Sequence, residues 1–209
     1  MSRKKDRMKP IFLDIPMPIM SERLILKPPE VGDGKMVNAA ILESYDDLRL
    51  TMPWASSKPS IEDSEEFVRQ AAANWIIKAD EEPYLPLFMY NAANMDFVGS
   101  TGYHHIDWDI PSFEIGYWIR SSYSRQGFMT EAVNALTRYA FLELEAKRVQ
   151  ITCDVLNLRS KKIPEKLGYC LEATLKNHRI NPEDGSVSDT LLYARYDLVD
   201  LPELVVDWD

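Results

Sequence analysis

Cysteine is scarce, with two residues (Cys153 and Cys170) in a chain of 209. Two cannot build the disulfide framework that holds small secreted domains together. Cys153 lies in an apolar, alternating stretch and reads as a small buried side chain. The three histidines and two cysteines show no metal-ligand cluster, so no resident metal is expected. Unbroken apolar runs are missing as well. The basic start (Arg3, Lys4, Lys5, Arg7, Lys9) leads into IFLDIPMPIM, which Asp14, Pro16 and Pro18 interrupt. It lacks the apolar centre of a signal peptide, and no segment is long enough to cross a bilayer. The expectation is a cytoplasmic protein with no membrane contact. Positive charge is in deficit: 24 Lys and Arg against 33 Asp and Glu leave a net charge of −9. Nucleic acid is therefore not expected as a direct partner, since phosphate backbones are bound by Lys and Arg. An acidic surface suits cationic acceptors such as amines or basic peptides by electrostatic steering, or simply keeps the protein soluble. No repeat or low-complexity segment breaks the chain.

The composition, 45% hydrophobic and 27% charged, suffices for one good-sized core and gives no sign of disorder. Residues 1–20 read as a loosely held N-terminal arm, 21–198 as a single domain, and 199–209 as an acidic tail. Arg23 to Lys27 is a short strand stopped by Pro28-Pro29. A helix opens at Gly32-Asp33-Gly34, with Met36, Val37, Ala40 and Ile41 at helical spacing. Trp54, after Pro53, lines a substrate mouth or caps the core edge. Ser60 is the N-cap of a second helix with acids in its first turn, which Asp80-Glu81-Glu82-Pro83 ends. Strands follow at 84–90, 97–108 and 113–120. Glycines within Val98 to Gly102 signal a bulge or a close backbone approach. His104 and His105, as neighbours on a strand, should point to opposite faces and read as structural or exposed. A helix after Gly127 and an alternating strand from Arg148 to Asp154 complete a parallel crossover. A further helix ends at Gly168, and two last strands run over 169–175 and 187–196. The sum is a mixed α/β sheet of about seven strands with helices on both faces.

The stretch Phe113 to Ala132, FEIGYWIRSSYSRQGFMTEA, carries the clearest chemistry. A strand passes through a polar turn into Gly127 at the mouth of an amphipathic helix. Backbone N–H groups at such a helix start form an anion site suited to phosphate.

Ser124-Arg125-Gln126-Gly127-Phe128-Met129 resembles the pyrophosphate loop of the GNAT acetyltransferases. The flanking EIGYWI and GFMTEA are similar to their RimJ/RimL-like branch, which acetylates ribosomal-protein N-termini. Asn157-Leu158-Arg159-Ser160 with Glu165 to Tyr169 (EKLGY), and Asp189 to Tyr193 (DTLLY), extend the likeness over about residues 23–196. Ser124 stands where the family has Arg or Gln, and Met129 where it has Gly or Ala.

The resemblance implies acetyl-CoA as cosubstrate and an amine as acceptor. It implies a pyrophosphate held by Arg125, Gln126, Gly127, Phe128, Met129 and Thr130, and a pantetheine arm along Trp118, Ile119 and Arg120. Asn157 would bond that arm, and Arg159 or Lys162 would reach the phosphates. Trp54 and Tyr103 fall on the acceptor side. Glu114 is the candidate base, its pKa raised by partial burial, or it merely pairs a cation. The family's tyrosine four residues after Ser160 is replaced by Pro164, which leaves Ser160 as proton donor or as helix N-cap. Because no Ser-His or Cys-His pair is evident, direct attack is expected, without a covalent enzyme intermediate. At pH 7 about a tenth of an α-amine is neutral but only about one lysine amine in two thousand. That favours a ribosomal-protein N-terminus over a lysine. A small amine (polyamine or aminoglycoside) is the alternative acceptor, and a non-catalytic acyl-CoA-binding module the alternative class. The chain is expected as monomer or homodimer.

Overall fold

The structure is a computed structural model that describes residues 9–78 and 83–209. Arg3, Lys4, Lys5 and Arg7 of the basic arm, and the helix stop at Asp80-Glu81-Glu82, lie outside the described residues. One sheet organises the molecule, with strand order β7-β8-β6-β5-β4-β3-β2-β1-β9. The strands are β1 Ile19–Ser21, β2 Leu24–Lys27, β3 Leu85–Asn91, β4 Phe97–Asp107, β5 Ser112–Ile119, β6 Arg148–Asp154, β7 Cys170–Ile180, β8 Val187–Arg195 and β9 Val206–Trp208. Among the described residues nine strands replace the seven expected. The two extra, β1 and β9, are three residues each, too short to carry an alternating pattern. They pair with each other from opposite ends of the sequence.

β3 shows why the sheet needs helices on both faces. Leu85, Leu87 and Met89 join one core cluster, with α3 (Phe128–Leu142). Phe88 and Tyr90, of the opposite parity, join the other, with α1 (Gly34–Leu48) and α2 (Ile61–Ile77). Successive strand side chains point to opposite faces, so a strand buried on both sides is apolar throughout. α2 begins with a capping box, Ser60 and Asp63 each bonding the other's backbone N–H. Before β1, Pro10 is buried, and the Tyr139 hydroxyl donates to the Pro16 carbonyl at 2.7 Å. At the far end the Trp208 indole N–H donates to Glu143 Oε2 at 3.0 Å.

Two departures from a regular sheet shape the site. β4 bulges near Gly99, where φ is +156° and a Cβ would lie 2.4 Å from the Trp118 carbonyl oxygen. Only glycine allows that approach. The second departure is at the parallel pair. β5 and β6 pair only from Ser112–Arg148 to Glu114–Gln150; beyond Glu114 they splay. β6 meanwhile stays paired to β8 through Asp154. The splay opens beside the N-termini of α3 and of α4 (Leu158–Lys166).

Candidate active site

Two clefts meet at the splay and share Tyr117, Trp118, Asn157 and Ser160. The first, about 520 Å³, runs to the start of α3. Gly127 caps that helix at φ +86°, and Arg125 is also left-handed at φ +62°. These two turns leave the first-turn N–H groups of Phe128, Met129 and Thr130 without helical acceptors, while Glu131 N–H already bonds the Gly127 carbonyl. Arg23 holds the loop from outside: its guanidinium pairs with Glu131 at 2.6 Å and donates to the Gln126 carbonyl at 3.1 Å. Arg23 and Glu131, 108 residues apart, had no local signal to mark them.

Among the residues expected at a cofactor, Trp118, Ile119, Arg125, Gly127, Met129, Thr130, Asn157, Arg159 and Lys162 line this cleft. Three do not. Arg120 turns away to pair with Glu43 at 2.6 Å. Gln126 is exposed and donates to the Ser122 carbonyl at 2.8 Å. Phe128 is buried in the core under the Arg23 guanidinium, so only its backbone faces the loop. Arg159 is held by Asp47 at 2.8 Å. The hydrogen bonds from Arg159 and Ser121 outweigh burial and hold the Asp47 pKa below its ordinary value.

The second cleft, about 460 Å³, holds Glu114, His104 and Trp54. Trp54, half exposed, meets Trp118 edge-on at 6.1 Å and so flanks the opening rather than capping the core. Glu114 accepts from Thr152 Oγ1 at 2.6 Å and from Gln150 Nε2 at 2.8 Å, both on β6. Burial alone would raise its pKa. The Thr152 bond, the charge of His104, and the Gln150 and His105 bonds outweigh burial, and the net shift is downward. The expected upward shift is thus corrected, because β6 supplies donors that the sequence around Glu114 does not reveal.

Tyr103 is corrected too. It is buried in the core on the α3 side, its hydroxyl donating to the Leu136 carbonyl at 2.6 Å. Opposite Ile115 in the ladder, it shares the core face and cannot reach an acceptor. The strict alternation assumed for His104 and His105 also fails. His105 adopts φ +47° at a break in the β4–β5 register, and the kink swings both rings beside Glu114. Nδ1 of His105 lies 3.3 Å from Nδ1 of His104 and 3.2 Å from Glu114 Oε2. The three residues are a group of possible metal ligands, which the spacing of histidines and cysteines had not suggested.

Ser160 is not the cap of α4. Asn157 is, its Oδ1 accepting the Ser160 N–H at 3.0 Å. Pro164 sits inside the helix, and having no N–H it leaves the Ser160 carbonyl without its helical donor. The Tyr117 hydroxyl, reaching over from β5, donates to that carbonyl at 3.2 Å and lies 3.0 Å from Ser160 Oγ. Burial raises the Tyr117 pKa well above its ordinary value. Burial likewise pushes the neighbouring Cys153 thiol up to about 11.

The family model of the acetyltransferase (GNAT) domain matches residues 23–169. The Bacillus subtilis (strain 168) protein YdaF is 37% identical over 79 residues, 38% of this chain and 43% of that protein. A ribosomal-protein-serine acetyltransferase of Escherichia coli (strain K12) is 28% identical over 137 residues, 66% of this chain and 74% of that protein. The chain thus spans less than half of YdaF and about three quarters of the second relative. Among solved structures, the microcin C7 self-immunity acetyltransferase MccE, in complex with acetyl-CoA and AMP, superposes with a TM-score of 0.74. It is 24% identical, with 84% of this chain and 93% of that chain covered. RimL, a ribosomal L7/L12 α-N-protein acetyltransferase in complex with coenzyme A, gives 0.75 at 20% identity, covering 86% and 97%. At such identities the likeness establishes a shared fold.

Proposed function

The chain belongs to the acetyltransferase (GNAT) domain family, and from that premise we propose that it transfers the acetyl group of acetyl-CoA to the N-terminal α-amine of a ribosomal protein. One observation carries the reading: two clefts of different character meet at the β5–β6 splay. One is floored by a helix start with Arg125 and Lys162, the other holds the Glu114 carboxylate. An anionic cosubstrate and a cationic acceptor fit those clefts in that order.

In this reading the N–H groups at the start of α3, with Arg125 and Lys162, hold the pyrophosphate. Asn157 spends its carbonyl oxygen on capping α4 and keeps its amide N–H groups as donors to the pantetheine arm. The unpaired edge of β5 beyond Glu114 offers a backbone N–H to polarise the thioester carbonyl. Glu114 draws the proton from the ammonium through water. Its carboxylate is charged at neutral pH, and an α-amine asks less of such a weak base than a lysine would. Ser160, whose hydroxyl touches Tyr117, returns a proton to the departing thiolate. Trp54 and Trp118 flank the acceptor. The E. coli relative, named for acetylating a ribosomal protein, supports this choice of acceptor.

The test is coenzyme A release from acetyl-CoA against N-terminal peptides, polyamines and aminoglycosides, with products identified by mass spectrometry. Acetylated N-terminal peptides are expected. Turnover of small amines alone would overturn the acceptor, and tight acetyl-CoA binding with no turnover of any class would favour a binding module.

A further inference from the structure

The polar atoms of His104, His105 and Glu114 crowd around one ring nitrogen. Nδ1 of His105 faces His104 Nδ1 at 3.3 Å and Glu114 Oε2 at 3.2 Å. That atom carries at most one proton to serve both contacts. A cation in place of that proton would let all three residues present lone pairs to it. Two ligand atoms about 2.05 Å from a tetrahedral Zn²⁺ stand about 3.3 Å apart. The two measured spacings match that edge, and every one of the three ligand atoms lies within 4.8 Å of the others.

We propose that His104, His105 and Glu114 form a three-ligand site for a zinc-like divalent transition metal, whose binding closes the acceptor cleft. Two histidines and a glutamate are a zinc donor set that leaves a fourth position open. Two of the three ligands, His104 and Glu114, line the acceptor cleft. The surroundings are those of a built site. Thr152 and Gln150 fix the carboxylate, as partners of a metal ligand do. The His104 ring is seated against Gly116, where a Cβ would fall 2.6 Å from Nε2. His105 is a non-glycine residue in the left-handed region, a conformation that the surrounding structure must hold in place. Its side chain is 73% exposed against 7% for Glu114, so a metal can enter from solvent and finish at a buried ligand. Octahedral, oxygen-seeking Mg²⁺ does not suit this set.

The blocking of the acceptor rests on the function proposed above; the metal site itself does not. The experiment is titration of chelator-treated protein with Zn²⁺ by calorimetry, and with Co²⁺ by visible absorption. One equivalent and a tetrahedral Co²⁺ spectrum are expected, with no response to Mg²⁺. His105→Asn, exposed and tolerant of positive φ, should weaken binding at least about tenfold. His178→Asn, at the remaining histidine, should bind as the parent does. Coenzyme A binding should survive metal loading, while Zn²⁺ should inhibit turnover competitively with the amine. No binding at micromolar Zn²⁺, or undiminished binding by His105→Asn, would overturn the site. Binding with unimpaired turnover would overturn the closure. The titration needs no acetyl transfer, so failure of the metal site and failure of the proposed function are separate results.

Discussion

Removing one hydroxyl, Tyr117→Phe, tests the link between Pro164 and the splay. In an unbroken helix the N–H of residue 164 would serve the Ser160 carbonyl. Proline has none, and the Tyr117 hydroxyl donates there instead at 3.2 Å. Without it a part-buried carbonyl is left bare, and Ser160 Oγ loses its neighbour at 3.0 Å. An unsatisfied group of this kind costs about 1–3 kcal/mol. For a chain of this size each kcal/mol moves the melting temperature by about 2–4 °C, so a drop of about 4–8 °C is expected for a mid-range loss. Pro164→Ala restores the helical donor. In that background Tyr117→Phe should cost about 1 kcal/mol less, which exceeds the ~0.5 kcal/mol scatter of independent sites. Pro164→Ala alone should stabilise by less than the ~3 kcal/mol usual for a helix-interior proline, since the carbonyl is already served. Urea unfolding of the four proteins closes the cycle. Additive effects would mean that the tyrosine is not the proline's substitute donor, and the reasoning would be refuted.

Glu114→Gln should lower turnover by about 10²–10⁴ and leave acetyl-CoA affinity unchanged in a calorimetric titration; full turnover at saturating amine would remove the glutamate from the base role. Asp47→Asn should release Arg159 toward the phosphates and remove a nearby negative charge, tightening acetyl-CoA binding about two- to fivefold at low salt and less at high salt. Because Arg159 and Ser121 depress the Asp47 pKa below 3.8, the parent's Asp47 contribution to stability is full above that value. It is lost as pH falls through the lower folded value; Asp47→Asn should lack this acid-side loss in a melting series below about pH 4. Tyr103→Phe should cost about 1 kcal/mol in urea unfolding with an unchanged KM for the acceptor, and a raised KM would return Tyr103 to the acceptor side.

Where signals are local, the sequence was a good guide. The Gly127 helix start, the Ser60 cap and the strand β6 are written in consecutive residues, and they fold as their patterns suggest. What escaped depends on partners distant along the chain. Alternation locates β4 but does not say which parity faces the core when helices cover both sides. Tyr103, on the acceptor side by resemblance, lies on the core face, while His104, opposite Glu114 in the ladder, faces the cleft. The kink at His105 has no glycine to announce it. The donors that depress the Glu114 pKa arrive from β6, and the Ser160 carbonyl is served from β5, 43 residues away. Proline marked the broken helix but could not name the hydroxyl that mends it.

The outer margins of the sheet bear on how the protein tolerates crowding. An unpaired strand edge is a template for joining another chain, and long flat ones lead to aggregation. On one side the margin is β9, only three residues long. On the other it is β7, eleven residues, long enough to recruit a neighbour. Its pairing with β8 slips twice, between Leu171 and Ala173 and between Leu175 and Arg179. Asn177 turns to φ +52° within the second slip, and Glu172, Lys176 and Arg179 place charge along the strand, each held in an ion pair. Slips, a turned residue and charge are the features that blunt a sheet edge against adding strand to strand.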